Sequence, residues 1–138
     1  MDKALNYLAL ARKGGRAELG EEPVGAAARS GKAYLILAAA DCSDHTWRRA
    51  KSYVAGTRQQ CLRLPYTKDE LGMAIGRQEL AMAAITDAAL ALALVRALPE
   101  PQKYAAVAEA LADKSGKLAQ RQKESQAHQK NVAKGKKK

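Results

Sequence analysis

The spacing of apolar residues alternates along this chain between a helical period and continuous runs. Leu5, Leu8 and Ala9 fall on one face at the period of an α-helix, which predicts a first helix over Asp2–Lys13. The residues from Ala33 to Ala40 are instead apolar without interruption and have turn residues on both sides. A short run of this kind is typical of a strand that helices cover on both faces.

Cap and stop residues divide the rest of the chain into further elements. Pro23 is compatible with a first helical turn, and Gly31 supplies the left-handed conformation that commonly follows a helix. Thr67 and Glu70 have the spacing of a capping box. In chain order the pattern predicts helix Asp2–Lys13, strand Arg16–Leu19, a helix from Gly20 to Arg29, strand Ala33–Ala40, a helix from Ser43 to Ala55, strand Gln60–Leu64, a helix from Thr67 to Gly76, strand Leu80–Thr86, helix Asp87–Leu98 and a short helix Gln102–Ala112.

The alternation of helices and strands predicts a mixed α/β sandwich in one domain. The predicted organisation is a folded domain over residues 1–98, a C-terminal helical extension over 99–112 and a basic tail over 113–138. The tail is built from Lys, Gln, Ala, Ser and Gly and ends in KGKKK. Such a composition cannot bury enough apolar surface to offset the cost of ordering, so the tail is predicted to be disordered.

Positive charge is concentrated in that tail. The formal net charge is +10, and residues 113–138 contain nine Lys or Arg and two Asp or Glu, a net of +7 that leaves +3 for the other 112 residues. An excess of this size suggests a polyanionic partner. Only 4% of the residues are aromatic and none is Phe, which argues against RNA-binding modules that stack bases on a sheet of aromatic side chains.

The residues that could support catalysis or metal binding do not form a convincing set. Cys42 and Cys61 are too few for a disulfide framework and are not spaced as a metal pair. His45 has no second ligand pair beside it, and Trp47 is interpreted as a packing residue. We therefore expect no enzyme activity, no metal, no cofactor and no small-molecule substrate.

The expected location is the reducing cytoplasm, since the sequence begins with no signal peptide and contains few cysteines. The apolar region Ala81–Leu98 is interrupted by Asp87 and Arg96, so no membrane span is predicted.

Three segments carry a resemblance to a known family. ARSGKAYLILAAAD at 28–41, ELGMAIGR at 70–77 and AITD at 84–87 resemble the ribosomal-protein family named "L seven Ae", and in particular its small bacterial YlxQ-type members. The resemblance extends from Leu5 to Leu94. It implies a compact three-layer α-β-α sandwich with a mixed four-stranded sheet, and a structured, kink-turn-like RNA as partner. Ribosomal RNA and ribosomal proteins are the candidate partners that it suggests.

The resemblance also implies where RNA would bind. Kink-turn binders of the family have the pattern G-x-N-E-x-x-K at the start of the second helix; here Gly20 matches, while Glu22, Pro23 and Ala26 occupy the other positions. A second contact comes from the loop before the AITD strand. The RNA-binding candidates are Lys13, Arg16, Gly20, Glu21, Glu22, Lys32, Arg77, Gln78 and Glu79.

Each candidate also has an ordinary structural interpretation. Glu21 and Glu22 can simply stabilise the positive end of their helix, which typically contributes ~0.3–1 kcal/mol per carboxylate. The leading hypothesis is a non-enzymatic RNA-binding protein associated with the ribosome. The alternatives are a protein-interaction module of the same fold and an RNA-recognition accessory to an RNA-modifying enzyme.

Overall fold

The computed structural model describes residues 2–114, which form four strands and the helices around them. The strands lie in the order β1-β4-β2-β3, with β4 antiparallel to both of its neighbours and β2 parallel to β3. This arrangement confirms the predicted mixed four-stranded sheet. The strands are β1 (Ala17–Leu19), β2 (Leu35–Ala38), β3 (Gln60–Arg63) and β4 (Met82–Ile85).

Helices precede, connect and follow these strands, and three of them begin at predicted cap residues. Side-chain oxygens of Ser43, Thr67 and Asp87 accept hydrogen bonds from backbone N–H groups of the helices that follow them. Thr67 and Glu70 form the predicted reciprocal capping box. The helices are α1 (Lys3–Lys13), α2 (Glu21–Arg29), α3 (Asp44–Val54), α4 (Lys68–Ala74) and α5 (Ala88–Arg96), followed by a 3₁₀ turn (Pro101–Tyr104) and helix α6 (105–114).

The central strand β2 divides the core into two clusters, because successive side chains of a strand point to opposite faces. Leu35 and Leu37 belong to the cluster that includes buried residues of α1, α4 and α5. Ile36 belongs to the other cluster, with Val24 of α2 and Ala50 of α3. Since helices cover both faces of the sheet, the predicted three-layer α-β-α architecture is confirmed.

The strand directions give the sheet two distinct ends. At one of them β1, β2 and β3 finish and β4 begins; we call it the Gly20 end, because Gly20 directly follows β1. At the opposite end β4 finishes and the other strands begin. We call this the Arg16 end, because the carbonyl of Arg16 accepts a hydrogen bond from the N–H of Thr86, which follows β4 (2.8 Å).

The C-terminal helix differs from the prediction in its length. It continues through residue 114, so it includes Asp113 and Lys114, which the sequence placed in the tail. Leu111 is fully buried (0% exposed) and anchors this helix to the core. The rest of the predicted disordered tail, residues 115–138, lies outside the described residues. Within residues 2–114, no helix has the length and apolar character that a bilayer crossing requires.

Candidate nucleic-acid interface

Gly20 connects the end of β1 to the start of α2 in a conformation that few other residues adopt. Its φ is +94°, in the region that side chains other than glycine rarely occupy. Its N–H donates to the carbonyl of Met82 (2.9 Å), the first residue of β4. The α2 N-terminus is therefore attached directly to the strand that follows the second candidate loop.

That second loop, Arg77–Glu79, is fixed against helix α4. The N–H of Arg77 donates to the carbonyl of Gly72 (2.8 Å), and the N–H of Leu80 donates to the carbonyl of Lys68 (3.0 Å). A Cβ placed on Gly72 would lie 2.6 Å from Cα of Glu79, so the approach requires a glycine. The side chains of Arg77, Gln78 and Glu79 are all exposed. The loop thus combines a fixed backbone with free polar side chains.

The two candidate segments meet at the Gly20 end. Glu79 lies three residues before Met82, to which Gly20 is bonded, and Glu22 is exposed in the first turn of α2. The carboxyl ends of three strands lie at this end, which is where open α/β sheets commonly bind ligands. The structure therefore places Gly20, Glu22 and the Arg77–Glu79 loop at one end of the sheet.

Glu21 is less exposed than its neighbour Glu22, and both line a cleft between α2 and α3. Nη1 of Arg49 lies 3.5 Å from Oε1 of Glu21, and this oxygen is itself shielded from solvent. The cleft has a volume of about 640 Å³ and is lined by Glu21, Glu22, Arg29, Arg49, Ser52 and Tyr53. Arg49 lies on α3 in a basic stretch with Arg48 and Lys51. Its partner is distant in the sequence, so no local pattern indicated this ion pair.

Ala26 lies on the opposite side of α2, in a second groove. Its side chain is exposed, and the groove has a volume of about 410 Å³. The lining includes Gly15, Glu18, Pro23, Lys32 and Thr86. A longer side chain at position 26 would therefore project into this groove along α2 and not into the core.

Lys13, Arg16 and Lys32 do not lie with the other candidates. Lys13 ends α1, and Arg16 follows the next turn with its N–H bonded to the carbonyl of Ala11 (2.7 Å). Lys32 follows the C-terminus of α2, whose nine residues rise about 13 Å from the Gly20 end. All three residues therefore belong to the Arg16 end.

Trp47 is half-buried and packs against both core clusters, which confirms its predicted packing role. The Arg63 guanidinium lies 5.1 Å from its ring centre and the Lys51 ammonium 5.7 Å from it. In cation–π contacts of this kind, the cations lie over the face of the aromatic ring. Trp47 is thus not positioned as an open platform for base stacking.

The chain shares its fold with solved structures. It matches no protein-family model and no curated protein sequence. A protein of unknown function from Bacillus halodurans superposes with a TM-score of 0.62 at 24% identity, covering 79% of this chain and 99% of that one. The Giardia lamblia 15.5kD RNA binding protein superposes with a TM-score of 0.60 at 19% identity, covering 76% of this chain and 87% of that one. At these identities the comparisons establish a common fold.

Proposed function

We propose that this protein is a non-enzymatic RNA-binding protein that recognises structured, kink-turn-like RNA at its Gly20 end. The observation that carries the proposal is the junction of two segments distant in sequence. The hydrogen bond from Gly20 to Met82 brings the start of α2 to the strand that follows the Arg77–Glu79 loop. The two segments that the family resemblance assigns to RNA recognition are therefore neighbours in this fold.

The comparisons support an RNA partner in a general way. A protein of the same fold is an RNA-binding protein in Giardia lamblia, and the sequence segments resemble a ribosomal-protein family. Ribosomal RNA, with ribosomal proteins as neighbours, is the expected partner on the basis of that resemblance. The fold by itself does not determine a function, so the proposal also depends on the chemistry of the residues at the Gly20 end.

The polar groups at the Gly20 end suit base edges as well as phosphates. The carboxylate of Glu22 can accept hydrogen bonds from exocyclic base amines, which are donors. The guanidinium of Arg77 can donate to base acceptors or to phosphate oxygens. Contacts to base edges give selectivity, whereas phosphate contacts give register and affinity. Glu22 is accordingly the candidate for selectivity, and Arg77 can contribute to both.

The cysteines give little support to an alternative enzyme function. Burial raises the pKa of the Cys61 thiol, and the charge of Lys51 opposes this shift only in part. A thiol with a raised pKa contains less of the thiolate that acts as a nucleophile. Cys42 is buried.

We expect Glu22→Ala and Arg77→Ala each to weaken binding to kink-turn RNA while leaving the melting temperature nearly unchanged. Both side chains are exposed, and surface substitutions away from structural features usually change stability by less than about 0.5 kcal/mol. Thermal unfolding and RNA titration of the same preparations would check this. A lower melting temperature with unchanged RNA affinity for Glu22→Ala would instead assign Glu22 the role of stabilising its helix terminus.

A gain of function is expected from Ala26→Lys. The substitution returns a cation to the position where the resembled family has one, and the side chain would lie in the groove that runs along α2 from Pro23 to Lys32. Hydrogen bonds to charged groups contribute about 1.5–3 kcal/mol when well placed, so kink-turn RNA should bind more tightly.

The matched control for this gain is Ala106→Lys, which adds the same charge to an exposed alanine of α6. Ala106→Lys should change the affinity for kink-turn RNA and for plain duplex RNA by similar, small factors. If Ala26→Lys gave no gain, or an equal gain for duplex RNA, the groove beside α2 would not face a structured RNA.

A protein-interaction function is the second candidate, and one observation favours it. Met73 on α4 is 79% exposed, which is unusual for a large apolar side chain. It borders a mainly apolar groove of about 470 Å³ whose lining includes Leu5, Tyr66 and Ala74. Met73→Ala should leave RNA binding unchanged, because Met73 is not one of the proposed RNA-contact residues.

A further inference from the structure

The Arg16 end carries a group of cations that lies apart from the Gly20 end. Lys13, Arg16 and Lys32 are exposed around the starts of β1 and β2. Lys32 and Gly15, which directly precedes Arg16, line one groove together with Thr86 at the end of β4. These three cations therefore lie together at the Arg16 end of the sheet.

Two more cations, Arg58 and Lys114, lie at the same end of the sheet. The Nζ atom of Lys114 lies 5.3 Å from the ring centre of Tyr34, which directly precedes β2. The carbonyl of Tyr34 in turn accepts a hydrogen bond from the N–H of Gln60, the first residue of β3 (3.2 Å). Arg58 is exposed in the turn that leads into β3. The positive charges thus extend from the start of β1 to the start of β3.

The charges of Arg58 and Lys114 are close enough to influence each other. Burial lowers the pKa of the Lys114 ammonium, and the positive charge of Arg58 lowers it further. Like charges placed together without full compensation create a local positive potential, which attracts polyanions.

Acidic residues are also present at this end, but fewer of them than cations. Asp87 uses its carboxylate to cap α5, where it accepts from the N–H groups of Ala89 and Leu90. Glu18 is exposed on β1, and Asp113 lies in the last turn of α6. The five cations therefore exceed these three carboxylates, whereas Glu21, Glu22, Asp41 and Glu79 lie towards the opposite end.

The most basic segment of the sequence also continues from the Arg16 end. Lys114, the last described residue, lies against Tyr34 at this end. Residues 115–138 contain eight Lys or Arg and one Glu, so the chain leaves the folded domain on its basic side.

We infer that the Arg16 end is a second RNA-contact surface, which binds the phosphate backbone of a helix flanking the structure bound at the Gly20 end. The inference rests on the proposed function, since it assigns the second surface to the same RNA. The two ends are separated by about the length of α2, roughly 13 Å, so one RNA longer than the recognised element can contact both.

The composition of this surface favours phosphates over bases or lipids. Its one aromatic ring, Tyr34, is only half-exposed and lies under Lys114, so it offers no free platform for a base among the described residues. Leu10 is exposed one turn before Lys13, but a single leucine does not form the apolar face that a membrane-surface helix presents. Exposed cations of this kind are typical of sequence-independent contacts to the phosphate backbone.

The test compares two triple variants of the full chain that remove equal charge. Lys13→Gln, Arg16→Gln and Lys32→Gln neutralise the Arg16 end; Lys3→Gln, Arg48→Gln and Arg96→Gln neutralise exposed cations elsewhere. Lys3 is a close control for Lys13, because α1 begins at Lys3 and ends at Lys13, about 15 Å away. The probes are a kink-turn RNA with short arms, the same RNA with either arm extended, plain duplex RNA, and vesicles of anionic lipid.

Each neutralised phosphate contributes about −0.7 to −0.9 to the slope of the logarithm of the RNA-binding constant against the logarithm of the salt concentration. The Arg16-end triple, which lacks three cations, should therefore have a slope that is shallower by roughly 2. The wild-type protein should bind more tightly when one arm is extended, and this gain should disappear in the Arg16-end triple alone. The preference for kink-turn over duplex RNA should be unchanged. The charge-retaining triple Lys13→Arg, Arg16→Lys and Lys32→Arg should bind like the wild type, which separates a charge effect from a folding effect.

Equal losses in both neutralised triples would overturn the inference, because the effect would then be one of net charge. Loss of vesicle binding with unchanged RNA binding would also overturn it and assign the surface to lipid. Failure of the proposed function has a different signature, in which the wild-type protein binds kink-turn and duplex RNA equally. A shallower slope in the Arg16-end triple would then still report backbone contact at this surface.

Discussion

Gly72→Ala is expected to displace the Arg77–Glu79 loop and to weaken kink-turn RNA binding by at least tenfold, about 1.4 kcal/mol. The new Cβ would lie 2.6 Å from Cα and 2.7 Å from N of Glu79, and 2.9 Å from the carbonyl oxygen of Arg77. All three are backbone atoms, so the loop itself must move. Overpacking of this kind typically costs about 1–3 kcal/mol of stability.

The sign of the stability change makes the result interpretable. Alanine is the better helix former by about 0.8–1.0 kcal/mol, so without the loop contact Gly72→Ala would stabilise α4. Gly25→Ala is the matched control, because Gly25 also lies within a helix but faces the side chain of Tyr53, with the hydroxyl oxygen at 2.9 Å. A side chain can rotate away where a backbone cannot, so Gly25→Ala should cost less. A more stable Gly72→Ala protein with normal RNA affinity would contradict the proposed role of the loop.

Gln59→Leu is expected to lower the free energy of unfolding by about 1–3 kcal/mol, since it leaves the buried N–H of Ala33 without its side-chain acceptor. The carbonyl of Ala28 loses one bond but still accepts from the N–H of Gly31. The amide of Gln59 is buried. Its Oε1 accepts from the N–H of Ala33 (3.0 Å), and its Nε2 donates to the carbonyl of Ala28 (3.1 Å). It thereby joins the turn before β3 to the chain between α2 and β2. Chemical denaturation of purified protein would measure the loss.

Gln60→Leu is the control for this prediction, because it makes the same substitution at the next residue. The Gln60 amide donates only to the carbonyl of Arg58, in an exposed position, so its replacement leaves no buried group unpaired. A similar small effect for both substitutions would show that the Gln59 hydrogen bonds contribute little to the native state.

Those features of the fold that depend on local sequence were predictable. Caps such as Thr67 with Glu70 act over three residues, so their spacing alone indicates where a helix begins. The apolar run at β2 was likewise sufficient to predict a strand buried on both faces. The predicted strand was longer than the observed Leu35–Ala38. Tyr34 and Ala39, which flank it, still form backbone hydrogen bonds with Gln60 and Ala81, whereas Ala40 is exposed.

Features that depend on contacts distant in sequence were not predictable. Gln59 is a turn residue in the sequence, and only the fold places it against Ala28 and Ala33. Gly72 lies in an unremarkable helix until the Arg77–Glu79 loop folds back on it. In both cases the sequence shows the residue but not the neighbour that makes it necessary.

The separation of the candidate RNA-binding residues into two groups also depends on contacts distant in sequence. Lys13, Arg16 and Lys32 were predicted together with Gly20 as RNA-binding residues. The strand β1 runs from the Arg16 end of the sheet to the Gly20 end, and the helix α2 runs back again, so these cations are separated from Gly20. Their grouping required knowledge of the strand directions, which composition and periodicity do not supply.

The central claim, that the Gly20 end selects a structured RNA, is tested most directly by one titration series. Wild-type protein and the double variant Glu22→Ala, Arg77→Ala are titrated at one salt concentration with kink-turn RNA, kink-turn RNA with its G·A pairs mutated, and plain duplex RNA. We expect the wild type to prefer the intact kink-turn and the double variant to lose this preference while keeping its duplex affinity. Equal binding of all three RNAs by the wild type, or an unchanged preference in the double variant, would contradict the central claim.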